Sequence, residues 1–393
     1  MYQATMHFPR EVLYGEDCFQ KVGEATEKLG SRVLLISDRT MESLGHVSTC
    51  KNLLEAEGLT CVEFLDVATE PTDEYVYAAC GAAKAERCDV IVSLGGGSCI
   101  DTGKAVAVLL TNERPLEAFI KMKTIASNRP VPLVAIPTTG GTGSEATDAT
   151  VITNTATDVK MMIKQPAFMP ETAIVDPLLT VSVPANVTAA TGVDALTHAI
   201  ETYLSKDAHP FTDEMALTAM KHLVRHLEVV YRDGENVAAR SSMMYGSMLA
   251  GMAFSNASLC LVHGMSRPVG ALFHVPHGIS NAMLLPAVLA FTRKDAEERL
   301  AEMGVYLDPE LKALSKSQQA DRFVEAVIGL CSRLEIPNML DFGINENAFM
   351  AALPKMATDA LASGSPGNHP RVPSKEEIMD LYQEAYTFDY ARV

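Results

Sequence analysis

Three of the ten histidines, His263, His274 and His277, fall within residues 261–278, LVHGMSRPVGALFHVPHG. Upstream, TGVDALTHAIETYLS (191–205) sets Asp194 and His198 four residues apart. On a helix that spacing stacks two side chains one turn apart on a single face. The residues around them are small and apolar, so the face is expected to be buried, and a buried carboxylate and imidazole need partners. They can satisfy each other through a neutral hydrogen bond, or they can share a cation. His263 and His277 are fourteen apart, too far for one helix face, yet a turn of the chain between them would let both converge with Asp194 and His198. One oxygen and three nitrogens suit a borderline divalent ion, Fe2+ or Zn2+, with a position left for a substrate. Glu201, three residues past His198, would stand behind the ligands as an orienting carboxylate. KHLVRH offers a second pair, His222 and His226, at the same spacing. Lys221 and Arg225 flank it, and the apolar stripe runs through Met220, Leu223, Val224 and Leu227, so this pair is expected on a solvated face.

A second kind of chemistry is written in glycine. SLGGGSCIDTGKA (93–105) follows a buried apolar run and leads into a helical segment. Gly95, Gly96 and Gly97 let the backbone approach an anion closely, and the helix end behind them presents N–H groups and a positive dipole. The loop is not a nucleoside-triphosphate P-loop, because five residues separate Gly97 from Gly103 and Ala105 stands where a hydroxyl would hold magnesium. It is not GxGxxG either, since Ile100 takes the third glycine's place. PTTGGTGSEAT (137–147) repeats the arrangement, and Gly141, Gly143 and Ala146 satisfy GxGxxA. Either loop alone has the plain strand-to-helix turn as its alternative; two after neighbouring strands suggest one long phosphate-bearing ligand. Asp38 ends the first clear strand. A carboxylate there would accept ribose hydroxyls and repel a 2′-phosphate, favouring NAD over NADP, or it would simply cap a helix.

These residues need a scaffold. RVLLISD (32–38), CDVIVSLGGG (88–97) and VPLVAIPTT (131–139) are short continuous apolar runs, the pattern of strands buried on both faces of a parallel sheet. Helical stretches such as 72–87 lie between them, which predicts βαβ units. After Pro184 the character changes to successive amphipathic helices, 209–233 and 315–336 being the clearest. The expected architecture is α/β plus all-α: a doubly wound, parallel-sheet dinucleotide-binding domain over 1–183, then a helical-bundle domain over 184–393 carrying metal and substrate. The Pro/Gly-rich stretch 363–374 reads as the loosest loop.

Bulk composition narrows the function classes. At 393 residues the chain suits two cores. A net charge of −17 without any Lys/Arg cluster argues against nucleic acid as a partner. Eight cysteines stand singly with no CxxC pair, which fits a reducing cytoplasm and argues against disulfide or zinc-ribbon frameworks. There is no apolar signal core at the N-terminus and no uncharged run of the roughly 18 residues a membrane helix needs. The expectation is a cytoplasmic protein with neither membrane nor nucleic-acid partners.

The blocks GGGSCIDTGKA, PTTGGTGSEAT, DALTHAIETYLS and HGMSRPVGALFHVPHGISNAMLLP together resemble the iron-containing (group III) alcohol dehydrogenases, in that family's order and spacing and over nearly the whole chain. The resemblance implies metal ligands at Asp194, His198, His263 and His277. It implies a pyrophosphate loop at Gly95, Gly96, Gly97 and Ser98. Further cofactor contacts fall on Asp38, Asp101, Thr138, Thr139, Thr142 and Lys160, and Phe254 falls near the substrate. Many members carry another histidine four residues after the third ligand; here Arg267 stands there. That leaves His274 as the candidate proton relay, while Arg267 either favours an anionic substrate or pairs with a carboxylate and holds the loop. The resemblance implies NAD-dependent, metal-dependent hydride transfer to and from a small alcohol or aldehyde by a homodimer or larger homo-oligomer. The alternatives are a glycerol-dehydrogenase-like polyol or hydroxyacid dehydrogenase on the same fold, and a non-catalytic nucleotide-binding protein.

Overall fold

The computed structural model describes residues 3–68, 70–157 and 159–392, and the chain divides into two compact units, Gln3–Val183 and Pro184–Val393. The first holds a six-stranded, wholly parallel sheet of β1 (Glu11–Tyr14), β2 (Arg32–Ile36), β3 (Thr60–Phe64), β4 (Val90–Gly95), β5 (Leu133–Pro137) and β8 (Thr172–Val175), in the order β1-β8-β5-β4-β2-β3. The helices around it are α1 (Val22–Glu27), α2 (Arg39–Ser43), α3 (His46–Ala56), α4 (Asp73–Ala85) and α5 (Gly97–Leu109).

The unbroken apolar runs are explained by burial on both faces. Along β2, Leu34 and Ile36 pack with Val76 and Ala79 of α4 and Val106 of α5. Their neighbours Val33 and Leu35 pack with Val22 of α1 and Cys50 and Leu54 of α3. Alternate residues therefore enter two separate cores, as a doubly wound sheet requires. Each fully buried aliphatic side chain contributes about 1.5–3 kcal/mol to this arrangement. The chain order reverses between β2 and β4, and the crevice beyond the carboxyl ends of such strands is where open α/β sheets bind ligands. The antiparallel hairpin of β6 (Ala149–Asn154) and β7 (Val159–Lys164) was not anticipated from sequence.

The second unit is helical: α6 (Ala185–Leu204), α7 (Pro210–Arg232), α8 (Val237–Ser255), α9 (Leu261–Phe273), α10 (His277–Thr292), α11 (Glu297–Leu307), α12 (Lys316–Arg333), α13 (Glu346–Ala362) and α14 (Lys375–Tyr386). Helix α6 is its axis and packs against α7, α8 and α10. Every residue from Gly192 to Leu204 is buried, so this helix is covered all round, and Asp194, His198 and Glu201 stand out in it beside the milder polarity of Thr197 and Thr202. The stretch expected to be loose is pinned instead: Ser365 and Pro366 are buried, and the His369 ring lies 2.9 Å from Thr292 Oγ1. Among the described residues no helix is long and apolar enough to cross a membrane.

Candidate functional site

In the sheet unit the two glycine-rich loops lie side by side because their strands are in register, Gly95 opposite Pro137. Thr138 N donates to Gly95 O at 3.1 Å. A Cβ on Gly97 would meet Thr142 Cγ2 at 2.8 Å, so only glycine lets the loops close this far. A Cβ on Gly96 would lie 3.8 Å from Thr139 Oγ1. Helix α5 starts at Gly97 with Gly96 as its cap and no capping side chain, and the N–H groups of Cys99 and Ile100 turn back to Gly96 O at 3.1 and 3.3 Å. Of the two roles foreseen for Asp38, the structure shows the helix cap. Its Oδ1 caps α2 by accepting from Met41 N at 2.8 Å, while Oδ2 lies 3.5 Å from the position of a Gly95 Cβ. The carboxylate thus flanks the loop at the reversal of strand order.

Two further residues of this unit are engaged internally. Asp101 accepts from Ser144 Oγ and, at 2.8 Å, from Val151 N, so it braces the second loop and β6 against α5. Lys160, on β7, sits 2.8 Å from Glu70 with its side chain almost wholly buried. Lys104 was overlooked in the sequence. It is fully buried, and its ammonium donates to Ser144 Oγ, Thr147 Oγ1 and Ala149 O at 2.7–2.8 Å. Burial lowers its pKa to about 8 against the pull of Asp101, Asp148 and Glu145.

In the helical unit Asp194, His198, His263 and His277 come together, each offering one ligand atom within 4.8 Å of the others. Asp194 and His198 are one turn apart on α6. His263 lies in the first turn of α9, and His277 is the first residue of α10. The turn between α9 and α10 brings the two histidines back to one point. It closes tightly, since a Cβ on Gly278 would stand 3.1 Å from Ala190 O on α6. Asp194 Oδ1 is 3.9, 3.5 and 3.9 Å from Nε2 of His198, His263 and His277. Bonds of about 2.1 Å in a tetrahedral site give ligand–ligand edges of about 3.4 Å. The three Asp194 edges therefore fit a divalent ion with a contraction of a few tenths of an ångström, and the remaining spacings, all within 4.8 Å, close further around it. Asp194 Oδ2 points the same way: it is buried and has no hydrogen-bond partner among the described residues. Burial alone would raise the Asp194 pKa, but His198, His277 and His263 outweigh it and hold the carboxyl well below the usual range.

Glu201 orders this cluster from behind. Its carboxylate lies 2.7 Å from His263 Nδ1 and accepts from Cys260 N at 3.0 Å and Val262 N at 2.6 Å. It thereby caps α9, which has no local side-chain cap, and fixes the proton of His263 on Nδ1 so that the Nε2 lone pair faces Asp194. Phe254, half-buried on α8, stacks on His198 with centroids 4.7 Å apart, and His198 stacks on His263 at 4.5 Å. Arg267 is buried; burial lowers its pKa to about 10, and the charge that opposes this is Glu201's. His274 ends α9 in the left-handed region, φ 53°, and is exposed, unlike the buried Asp194, His198 and His263 and the partly buried His277. His222 and His226 are half-buried rather than solvated, with His222 packed edge-on against Tyr245 at 5.0 Å.

Sequence reading missed Asn281. It is fully buried, and its Nδ2 donates to Asp194 Oδ1 at 2.6 Å and lies 3.1 Å from Nε2 of both His263 and His277. The signal was present: HGISN places it four residues past His277, the spacing that puts two helix residues on one face.

Family models account for most of the chain. "Iron-containing alcohol dehydrogenase" matches residues 9–177, and "Fe-containing alcohol dehydrogenase family, C-terminal" matches 188–386. The 1,3-propanediol dehydrogenase of Citrobacter freundii is 37% identical over 96% of this chain and 97% of its own. The NAD-dependent methanol dehydrogenase of Bacillus methanolicus is 35% identical over 96% and 98%. Among solved structures, a 1,3-propanediol oxidoreductase superposes with a TM-score of 0.93 at 36% identity, covering 98% of this chain and all of that one.

Proposed function

Because the chain belongs to the iron-containing alcohol dehydrogenase family, we propose that it transfers a hydride reversibly between NAD(H) and a small primary alcohol or aldehyde, with Fe2+, or Zn2+ in its place, held by Asp194, His198, His263 and His277. The observation that carries this reading is the convergence of those four side chains on one point, three of them buried and His277 partly exposed. When bound, the ion supplies a Lewis acid for the substrate oxygen and NAD supplies the hydride acceptor.

The chain's own groups do the positioning. Glu201 keeps the His263 lone pair turned toward the cluster. Phe254 sets an apolar ring against His198, which limits water on that side. Arg267 balances the Glu201 charge. The Gly95–Ser98 loop and the α5 N-terminus hold the pyrophosphate, with Thr138, Thr139, Thr142 and Lys160 as further contacts. Asp101 acts through the loop it braces. Asp38 accepts the ribose hydroxyls and disfavours a 2′-phosphate. His274, exposed at the end of α9, carries the substrate proton toward solvent. The same reading has a cytoplasmic homo-oligomer, at least a dimer, and eight free cysteines suit a reducing compartment.

The test is NADH formation from a panel of short primary alcohols, before and after chelation and anaerobic reloading with Fe2+. Activity should vanish on stripping, return with the ion, and favour NAD over NADP. Turnover that survives complete stripping would overturn the metal's part. Failure with every alcohol and both nucleotides would overturn the reaction.

A further inference from the structure

The Asn281 amide is aimed at the cluster and nowhere else. Nδ2 meets Asp194 Oδ1, His263 Nε2 and His277 Nε2, while Oδ1 has no hydrogen-bond partner among the described residues. Those atoms belong to three of the four residues that would hold an ion. An N–H donor uses an acceptor's lone pair, and a cation needs the same lone pair. His263 shows the conflict most clearly. Glu201 fixes its proton on Nδ1, so Nε2 has one lone pair, which either accepts from Asn281 or binds the ion. Backbone hydrogen bonding within α10 fixes where the amide is rooted, and its full burial keeps it out of bulk solvent.

We propose that Asn281 sets the metal affinity of the cluster as a competing positioning residue: its amide holds Asp194, His263 and His277 converged and must yield those contacts when a divalent cation binds. This rests on the metal site proposed above. The residue therefore stabilises the ion-free protein selectively, and replacing it removes a competitor for the ion. A merely structural asparagine would lower stability with and without the ion equally. A residue that orients ligands for the ion would weaken binding when lost.

The experiment is Zn2+ titration of the chelator-stripped full-length protein against a colorimetric chelator, with melting curves in the stripped and loaded states, for the parent, Asn281→Ala and Asn281→Ser. The stripped Asn281→Ala protein should melt below the stripped parent, and its rise in Tm on loading should be larger. Its Zn2+ Kd should be lower by about tenfold, the equivalent of one lost hydrogen bond to a charged group. Asn281→Ser, whose hydroxyl reaches fewer of the three atoms, should shift the same way by less, and it serves should the alanine protein not fold. A Kd unchanged or weakened in a folded variant overturns the proposal. A parent that binds no Zn2+ overturns instead the metal site on which it rests.

Discussion

Replacing Glu201 by glutamine changes a single atom pair in size yet should dismantle the order of the metal cluster. The carboxylate accepts from three donors, His263 Nδ1, Cys260 N and Val262 N, at 2.7, 3.0 and 2.6 Å. A glutamine amide has one acceptor oxygen, which can serve one backbone N–H; its NH2 then faces donors. The simplest relief is for His263 to accept at Nδ1 and carry its proton on Nε2, the atom 3.5 Å from Asp194 Oδ1. That tautomer offers no lone pair to an ion. Loss of such an orienting partner costs 10–100-fold in metal affinity, about 1.4–2.7 kcal/mol. Stability falls as well. Two charge-assisted hydrogen bonds at about 1.5–3 kcal/mol each are lost, together with the countercharge of buried Arg267, so the drop should be at least about 3 kcal/mol. The assay is chelator competition for Zn2+ on the folded variant, paired with thermal melting of parent and variant. A Glu201→Gln protein that keeps the parent's affinity within threefold would show that the Glu201–His263 contact does not set the ligand's tautomer.

Three other outcomes follow from the same geometry. Asp38→Gly should lower the NAD/NADP ratio of kcat/KM while costing only a few tenths of a kcal/mol for the α2 cap, since glycine also caps well; an unchanged ratio would remove Asp38 from cofactor choice. Changing His222 and His226 together to alanine should leave metal content intact and cost about 1 kcal/mol for the lost packing on Tyr245, read by metal analysis and melting; loss of metal would mean the ligands are misassigned. Glu145 is buried and its pKa rises from 4.5 to about 7, chiefly through desolvation. The folded state then holds the proton more tightly than the unfolded one, so this group's contribution to stability is full below about pH 4.5 and is lost as pH rises through 7. Glu145→Gln should abolish that fall, by about 3 kcal/mol at most, in melting curves taken from pH 5 to 8.

What could be read from the sequence was whatever burial makes periodic or chemistry makes rare. The strands β2, β4 and β5 showed as unbroken apolar runs because α1, α3, α4 and α5 cover both faces of the sheet. Asp194 and His198 stood out because ionisable residues are scarce on a helix that is otherwise buried all round. The edge strands β1 and β3 did not stand out, since EVLY and TCVEF are half-exposed and mix polar with apolar residues. The β6–β7 hairpin was hidden for the same reason. Asn281 and Lys104 were missed because their roles depend on what the fold brings from elsewhere in the chain: Asp194 lies 87 residues from Asn281, and Ser144 lies 40 from Lys104. The half-burial of His222 and His226 also escaped, because the charged neighbours Lys221 and Arg225 describe the helix's own faces and not the α8 surface laid against it.

The most direct test of the account is metal content by mass spectrometry on anaerobically purified protein and on His277→Ala, with NAD-dependent alcohol oxidation measured on the same samples. The account predicts about one Fe or Zn per chain in the parent, matching the single four-residue cluster found among the described residues, and loss of both metal and activity in the variant. A His277→Ala protein that keeps its metal and its turnover, or a metal-free parent that turns over alcohols, would contradict it.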